Sequence, residues 1–496
     1  MTAVVAAVAM MAGCGGTRVD QERILAAEGR TSGTSTDVGG TDTGTAAIGS
    51  TDVGAADTGA EASSLTPGVP AGNAPVTAPG SATNPAAAQP SKGKPAKDGA
   101  GAGAVSTANQ PCTRALEPIV IGQVGAFSGV VGASIGNLRS GMSVWVKDVN
   151  ARGGIECHPV RIVQRDDGSD PARTDANVKQ LILTEKVVAF VGSGPVITIS
   201  VVQRLAEQYK VPFIGGDASD LAWWNSQYLF PQGGISLASF AGAIKAASQA
   251  TGAKKLGILY CVEATICSSI GQQAKKLAGQ AEVELVVNKA ASLTQTDFTA
   301  ECQAMKSAGV NVAFFALDGS AVQRAIRNCK QLGFIVPVAV PSIAVNAETA
   351  QDPNLQQFGV FLGSSVLPFV DTASTAGRDF NKAYHTFAPG ALIDDSSMRG
   401  WVSGKMLETA LGKVSAQARA GTVTTALILQ GLWTLKNETF GGLTSATTFA
   451  KGATAKITQC YYALRLTPEG FTSTLGGKSS CLPEPSSGAV ESGEAR

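Results

Sequence analysis

From Cys112 onward the chain alternates short apolar runs with amphipathic stretches of helical length, and this pattern admits few architectures. Ile119 to Val124 reads as a strand, Asn137 to Asn150 as a helix, Val160 to Gln164 as a strand and Ala172 to Thr184 as a helix. Val187 to Val191 and Val211 to Ile214 continue as strands, with the helix Ile197 to Tyr209 between them. Such β-α-β-α order predicts a parallel sheet covered on both faces. A second series follows, with strands at Lys255 to Tyr260, Val283 to Val287, Val310 to Ala316 and Val336 to Val340. Helices near Ser269 to Ala278, Phe298 to Ala308 and Ala321 to Leu332 separate them. Two such series over roughly 370 residues exceed one core, so two α/β lobes are expected, with the cleft between them as the default site.

The first quarter of the chain cannot take part in this. From about Thr31 to Gln110 it is Ala, Gly, Thr, Ser and Pro with a few Asp and Lys, without one aromatic residue or cysteine. It buries too little apolar surface to offset its ordering entropy, and a coil of this length spans ~50 Å. Ser35-Thr36-Asp37-Val38-Gly39 recurs as Ser50-Thr51-Asp52-Val53-Gly54, a mark of low complexity. A net charge of +1 supplies no basic field for nucleic acid. Two histidines, His158 and His385, exclude a His-rich metal site. No run reaches the ~18 apolar residues of a membrane-spanning helix.

Residues Met1 to Gly13 are almost wholly apolar and end on Cys14, followed by Gly15 and Gly16. This resembles a bacterial lipoprotein signal, which implies cleavage before Cys14, a lipid on its thiol, and a mature chain on the outer face of the cell membrane. An ordinary cleaved signal with an incidental cysteine is the alternative. No Lys or Arg precedes the apolar run, so a start codon further upstream is expected. Beyond Cys14, eight cysteines remain in an exported chain, an even number that reads as disulfides. Eight allow 105 pairings. Sequence neighbours are the expected partners: Cys112 with Cys157, Cys261 with Cys267, Cys302 with Cys329, Cys460 with Cys481.

Several short runs point to one family. Ile121-Gly122-Gln123-Val124-Gly125-Ala126-Phe127-Ser128-Gly129 is similar to the opening of type I periplasmic binding proteins of the branched-chain amino acid class. Asp148-Val149-Asn150-Ala151-Arg152-Gly153-Gly154-Ile155 resembles their turn after the first helix. Asp166-Asp167-Gly168-Ser169-Asp170-Pro171 matches their acidic turn, with Asp170 placed as N-cap and Pro171 as N1. Phe190-Val191-Gly192, Val211-Pro212-Phe213-Ile214, Ala325-Ile326-Arg327 and Leu332-Gly333 fit the same framework.

The resemblance implies two doubly wound parallel-sheet lobes joined by a hinge, without a cofactor or a metal. It implies a monomeric receptor that carries a small solute, an amino acid or a related amphipathic molecule, to the permease of an ABC importer. The alternative is a sensor or surface-interaction lipoprotein of the same fold. The expected divisions are a signal at 1–13, a tether at 14–111, a first lobe at 112–250 with a return at about 365–415, a second lobe at 251–364 and about 416–482, and a polar tail at 483–496.

Loops at strand C-termini face the cleft of such sheets, where backbone N–H groups and short hydroxyls hold ligands. The candidates there are Phe127, Ser128, Ser193, Gly194, Asp217, Ala218, Ser219, Glu263, Asp318 and Ser342. Small polar residues after strands are equally turn and cap chemistry. Departures from the family matter for the solute. Val196 stands where amino-acid-binding relatives place a carboxylate-binding serine, and Ala321 where their amine-binding glutamate lies. Asp318 or Asp217 would replace that charge. Trp223-Trp224 is either a wall for a larger solute or packing at the lobe surface.

Enzyme signatures are weak. Gly132-Ala133-Ser134-Ile135-Gly136 spells a nucleophile elbow but lies beyond the first strand instead of on a strand-to-helix turn, and His385 falls within a helical stretch. Gly192-Ser193-Gly194 lacks the third glycine of a dinucleotide fingerprint. Asp394-Asp395 reads as N-terminal helix charge. No catalytic role is expected.

Overall fold

The computed structural model describes residues 112–129 and 131–483. The signal, Cys14, the tether up to 111 and the tail from 484 lie outside the described residues.

Two sheets are present. The first holds β1 (Ile119–Gly125), β2 (Val160–Asp166), β3 (Ala189–Ser193), β4 (Phe213–Gly216) and β5 (Leu229–Phe230), in the order β2-β1-β3-β4-β5 with every pair parallel. The second holds β6 (Lys255–Cys261), β7 (Glu284–Ala291), β8 (Val312–Ala316), β9 (Val338–Pro341), β10 (Val360–Ser364), β11 (Cys460–Thr467), β12 (Gly470–Ser473) and β13 (Ser480–Cys481). Its order is β12-β11-β10-β9-β8-β6-β7 with β13 on β11, parallel from β7 to β10 and antiparallel beyond. Strands β3, β4, β8 and β10 are buried along their whole length, which is why they read as unbroken apolar runs.

The first sheet carries α1 (Gly132–Ile135), α2 (Asn137–Ala151), α3 (Pro171–Leu183) and α4 (Ile199–Tyr209). Asp170 caps α3 by accepting from the Arg173 N–H at 2.9 Å, with Pro171 at its first position. Next come α5 (Ser236–Thr251), α6 (Thr265–Gln272), α7 (Ala274–Gln280), α8 (Thr299–Ser307), α9 (Gly319–Gln331) and α10 (Pro353–Phe358). The single helix expected near Ser269 to Ala278 is two, α6 and α7, broken at Gln273. The chain closes with α11 (Thr375–Phe387), α12 (Asp395–Gly412), α13 (Ser415–Ala420) and α14 (Thr425–Leu432).

Packing places two segments differently from the expected divisions. Helix α5, inside the first lobe's expected span of 112–250, lies on β9, β10 and β11 of the second sheet. Gly363 of β10 permits the close approach, since a Cβ added there would stand 1.9 Å from the Ser239 carbonyl oxygen of α5. The first crossing between sheets therefore falls between β5 and α5. Helices α13, but for its first residue, and α14 fall inside the second lobe's expected span of about 416–482, yet they pack with α12, which itself lies on α2, β3 and β4. Ser415 and Arg419 of α13 both donate to the Glu156 carboxylate, at 2.7 and 2.5 Å. The chain thus crosses three times, before α5, between β10 and α11, and between α14 and β11.

The disulfides join Cys112 to Cys157, Cys261 to Cys267, Cys302 to Cys329 and Cys460 to Cys481. His158 sits beside the first, its ring nitrogens 2.6 and 2.8 Å from the Glu117 and Ala418 carbonyl oxygens. Helices α2 and α12 cross at glycines, and a Cβ at Gly141 would stand 2.1 Å from the Ser397 carbonyl oxygen. Gly141→Ala must push the helices apart and is expected to cost about 1–3 kcal/mol, read as a lower urea midpoint at constant slope.

Candidate functional site

The C-terminal ends of the strands of both sheets converge on one cavity of about 70 Å³, open in part to solvent. Val131, Ser134 and Ile135 after β1, Val196 and Ile197 after β3, and Ser219 after β4 form one wall. The other wall is Phe240 of α5, the Cys261–Cys267 disulfide with Ala264, Ile266 and Ile270, then Leu293, Leu317 and Ile343. Asp318, after β8, is the one ionisable side chain among the described lining residues. The disulfide clips the loop from β6 into α6 and so fixes Ala264 and Ile266 against the cavity.

Hydrogen bonds close the cleft around this space. The Gly319 N–H donates to Ser134 Oγ at 3.2 Å, and Asn346 Nδ2 donates to the Ala133 carbonyl at 2.9 Å. On another edge Thr265 Oγ1 donates to Asp220 Oδ2. Each joins a segment that follows a strand of the first sheet to one that follows a strand of the second.

Asp318 has two tasks. It caps α9 by accepting from the Ala321 N–H at 2.7 Å, and it borders the cavity at 8 % exposure. Burial pushes its carboxyl up, with Glu263 adding to this, while the Ala321 bond and the Arg324 charge pull down. Asp318→Ala is expected to cost about 1 kcal/mol through the lost cap, whereas Asn, which keeps a capping oxygen, restores most of it. Denaturant midpoints of the two variants check this.

A smaller chamber of about 20 Å³ adjoins the cavity, sharing Ser219, Phe240, Pro341 and Ile343 with it. Asp217, Ala218, Ser342 and Arg399 line it as well. Asp217 is 2 % exposed and accepts from Ser219 Oγ at 2.7 Å. Burial pushes its carboxyl up, opposed by Arg399 and by the Ser219 bond. Ser342 Oγ donates to Asp395 Oδ2 at 2.6 Å and accepts from Arg399 Nη2 at 3.2 Å.

The sequence candidates therefore separate. Ser219 and Asp318 border the cavity, and Asp217, Ala218, Ser219 and Ser342 the chamber. Phe127 and Ser128 lie outside both linings, held by backbone N–H bonds to Asp166 Oδ1 at 2.9 and 3.2 Å. Ser193 Oγ accepts from the Val124 N–H, and the Gly194 carbonyl from the Ala126 N–H, so both knit β1 to β3. Glu263 accepts from Ser292 Oγ and the Leu293 N–H at 2.6 and 2.8 Å and ties the end of β6 to that of β7. Trp223 and Trp224 are buried packing and border neither space. Among the described residues no group of three His, Cys, Asp or Glu is placed to hold a metal ion, and no helix is long and apolar enough to cross a membrane.

Two stacked α/β layers closing on a shared cavity have known counterparts. The model of the periplasmic binding protein family matches residues 118–471. The chain belongs to that family. Periplasmic binding proteins work outside the cytoplasm. The fold is shared with a fatty acid ABC transporter substrate-binding protein from Thermomonospora curvata, at 19 % identity and a TM-score of 0.60, over 74 % of this chain and 91 % of that one. It is shared also with a branched-chain amino acid transporter substrate-binding protein from Streptococcus pneumoniae, solved with isoleucine, at 20 % identity and a TM-score of 0.58, over 72 % and 99 %. An "Amino acid binding protein" of Pseudomonas aeruginosa is 36 % identical over 90 residues, 18 % of this chain. That match spans 24 % of the relative's length.

Proposed function

We propose that this periplasmic binding protein captures a small solute with an apolar body and a hydrogen-bond-donating head, and hands it to an ABC permease from the outer face of the membrane, held there by a lipid on Cys14. The lining of the cavity carries this reading. Its walls are apolar on both sides, and its only ionisable group among the described residues is a carboxylate, Asp318, with no cation to receive an anionic head. Apolar walls supply affinity without direction, and a lone carboxylate selects the head group. Val196 removes the hydroxyl with which amino-acid-binding relatives hold a carboxylate, which favours amines and amides over free acids.

A thermal-shift screen of alkyl and aryl amines, amides, free amino acids, fatty acids and sugars tests it, because a ligand selective for the folded state raises the melting point. Apolar-bodied amines and amides are expected to give the largest shifts. Shifts confined to sugars or to fatty acids would reject the reading. Delivery is tested separately, by stimulation of ATP hydrolysis in a reconstituted permease at saturating solute.

A further inference from the structure

We propose that the chamber behind the cavity, bordered by Asp217, Ser236, Ser239, Ser365 and Arg399, receives the ammonium head of an amphipathic amine whose apolar body lies in the cavity. This rests on the receptor reading, and it seats a cationic head at Asp217 in the chamber instead of at Asp318 in the cavity.

The first observation is a convergence of buried polar atoms. Asp217 Oδ1 and the hydroxyl oxygens of Ser236, Ser239 and Ser365 have no hydrogen-bond partner, and all four residues line this one chamber. Their exposures are 2, 6, 2 and 5 %. Each such group is costly, and four of the eleven found among the described residues border this one small space, which marks it as a place for a polar guest.

Charge decides which guest. Arg399 Nε donates to Asp395 Oδ2 at 2.5 Å and Arg399 Nη2 to Ser342 Oγ at 3.2 Å, so its guanidinium is already paired. Asp217 is the second carboxylate beside that single cation, and its Oδ2 takes only the Ser219 hydroxyl. Nearby Asp220 is engaged by the Ala222 N–H and by Thr265. Burial pushes the Asp217 carboxyl up while it has no cation of its own, so an arriving ammonium both holds it ionised and balances the charge that Asp217, Asp395 and Arg399 then carry, whereas an anion worsens it. An ammonium brings three donors, matching Asp217 Oδ1 and two of the serine oxygens. Ser219 and Phe240 border both spaces, so the chamber lies directly against the apolar cavity, at the distance one molecule needs to set its head in the first and its body in the second.

The test is calorimetric titration of the full chain with n-hexylamine, 1-hexanol and hexanoate at neutral pH. The amine is expected to bind at least about tenfold more tightly than the alcohol, as a charge-assisted bond to a buried carboxylate requires, with hexanoate weakest. Asp217→Asn is expected to bring the amine down to the alcohol's level. Ser239→Ala is the second variant: its hydroxyl has no partner to lose, so the fold tolerates it, and the amine alone should weaken, by about threefold to tenfold. Equal affinity for amine and alcohol, or an amine preference that survives both variants, overturns the chamber assignment and leaves the receptor reading in place. Failure of all three compounds to bind overturns both.

Discussion

Replacing Val196 by tryptophan is expected to weaken binding of any solute the protein takes by about a hundredfold or more, with little change in melting temperature. Val196 is half-buried and faces the cavity instead of a packed core, so a larger ring there meets open space before it meets protein. The magnitude follows from what the cavity supplies. Burying one methylene stabilises a complex by about 0.8 kcal/mol, so a solute placing four of them against these walls owes roughly 3 kcal/mol, or two orders of magnitude, to that contact. The same figure predicts a series: each methylene added to a homologous solute should tighten binding about fourfold until the walls are filled. Calorimetry on the wild type and Val196→Trp with one homologous series measures both. An unchanged dissociation constant in the variant would place the solute elsewhere.

That cavity was only partly legible in the sequence, and the reason is physical. Strands such as β3 and β8 announce themselves as apolar runs because both their faces are buried, and the loops after them locate the cleft. Which residue of a loop turns inward is set by packing. Ser193 and Glu263 have the chemistry of ligand residues and are used to join neighbouring strands, whereas Val196 and Ile266, which look like core, are wall. Helix α5 gave no periodic signal, because an Ala- and Ser-rich helix buried on nearly every side has no polar face to alternate with. Two of the chamber's serines, Ser236 and Ser239, lie on it. The remaining members, Asp217, Ser365 and Arg399, come from three distant parts of the chain that only the crossings between sheets bring together.

Asp394 and Asp395 show the same limit from the other side. Read as helix charge, Asp394 is that: it caps α12 in a capping box with Ser397. Its neighbour is different, and Asp395→Ala is expected to be the most destabilising single change in the hinge region. Asp395 is 2 % and Arg399 6 % exposed. The Asp395 carboxylate accepts from Arg399 Nε at 2.5 Å, from Ser342 Oγ at 2.6 Å and from Ser364 Oγ at 2.5 Å. Ser342 and Ser364 belong to the second sheet's end, while α12 lies on the first. The pair therefore fastens one lobe to the other beside the crossing after β10.

Removing Asp395 alone leaves a buried guanidinium short of its partner and two hydroxyls without an acceptor, which costs about 3–5 kcal/mol. At about 2.1 cal/mol/K per residue over roughly 370 ordered residues, that is a fall of roughly 4–6 °C in melting temperature. Asp395→Ala with Arg399→Met should be less damaging than Asp395→Ala, because the uncompensated charge leaves with its partner. Scanning calorimetry of the single and double variants separates these outcomes, and a single variant costing under about 1 kcal/mol would show that the pair is not dry. The functional consequence has a fixed direction. With Asp395 gone, Arg399 has only Asp217 nearby to neutralise it, so Asp217 gains a cation of its own and the preference for amine over alcohol should disappear.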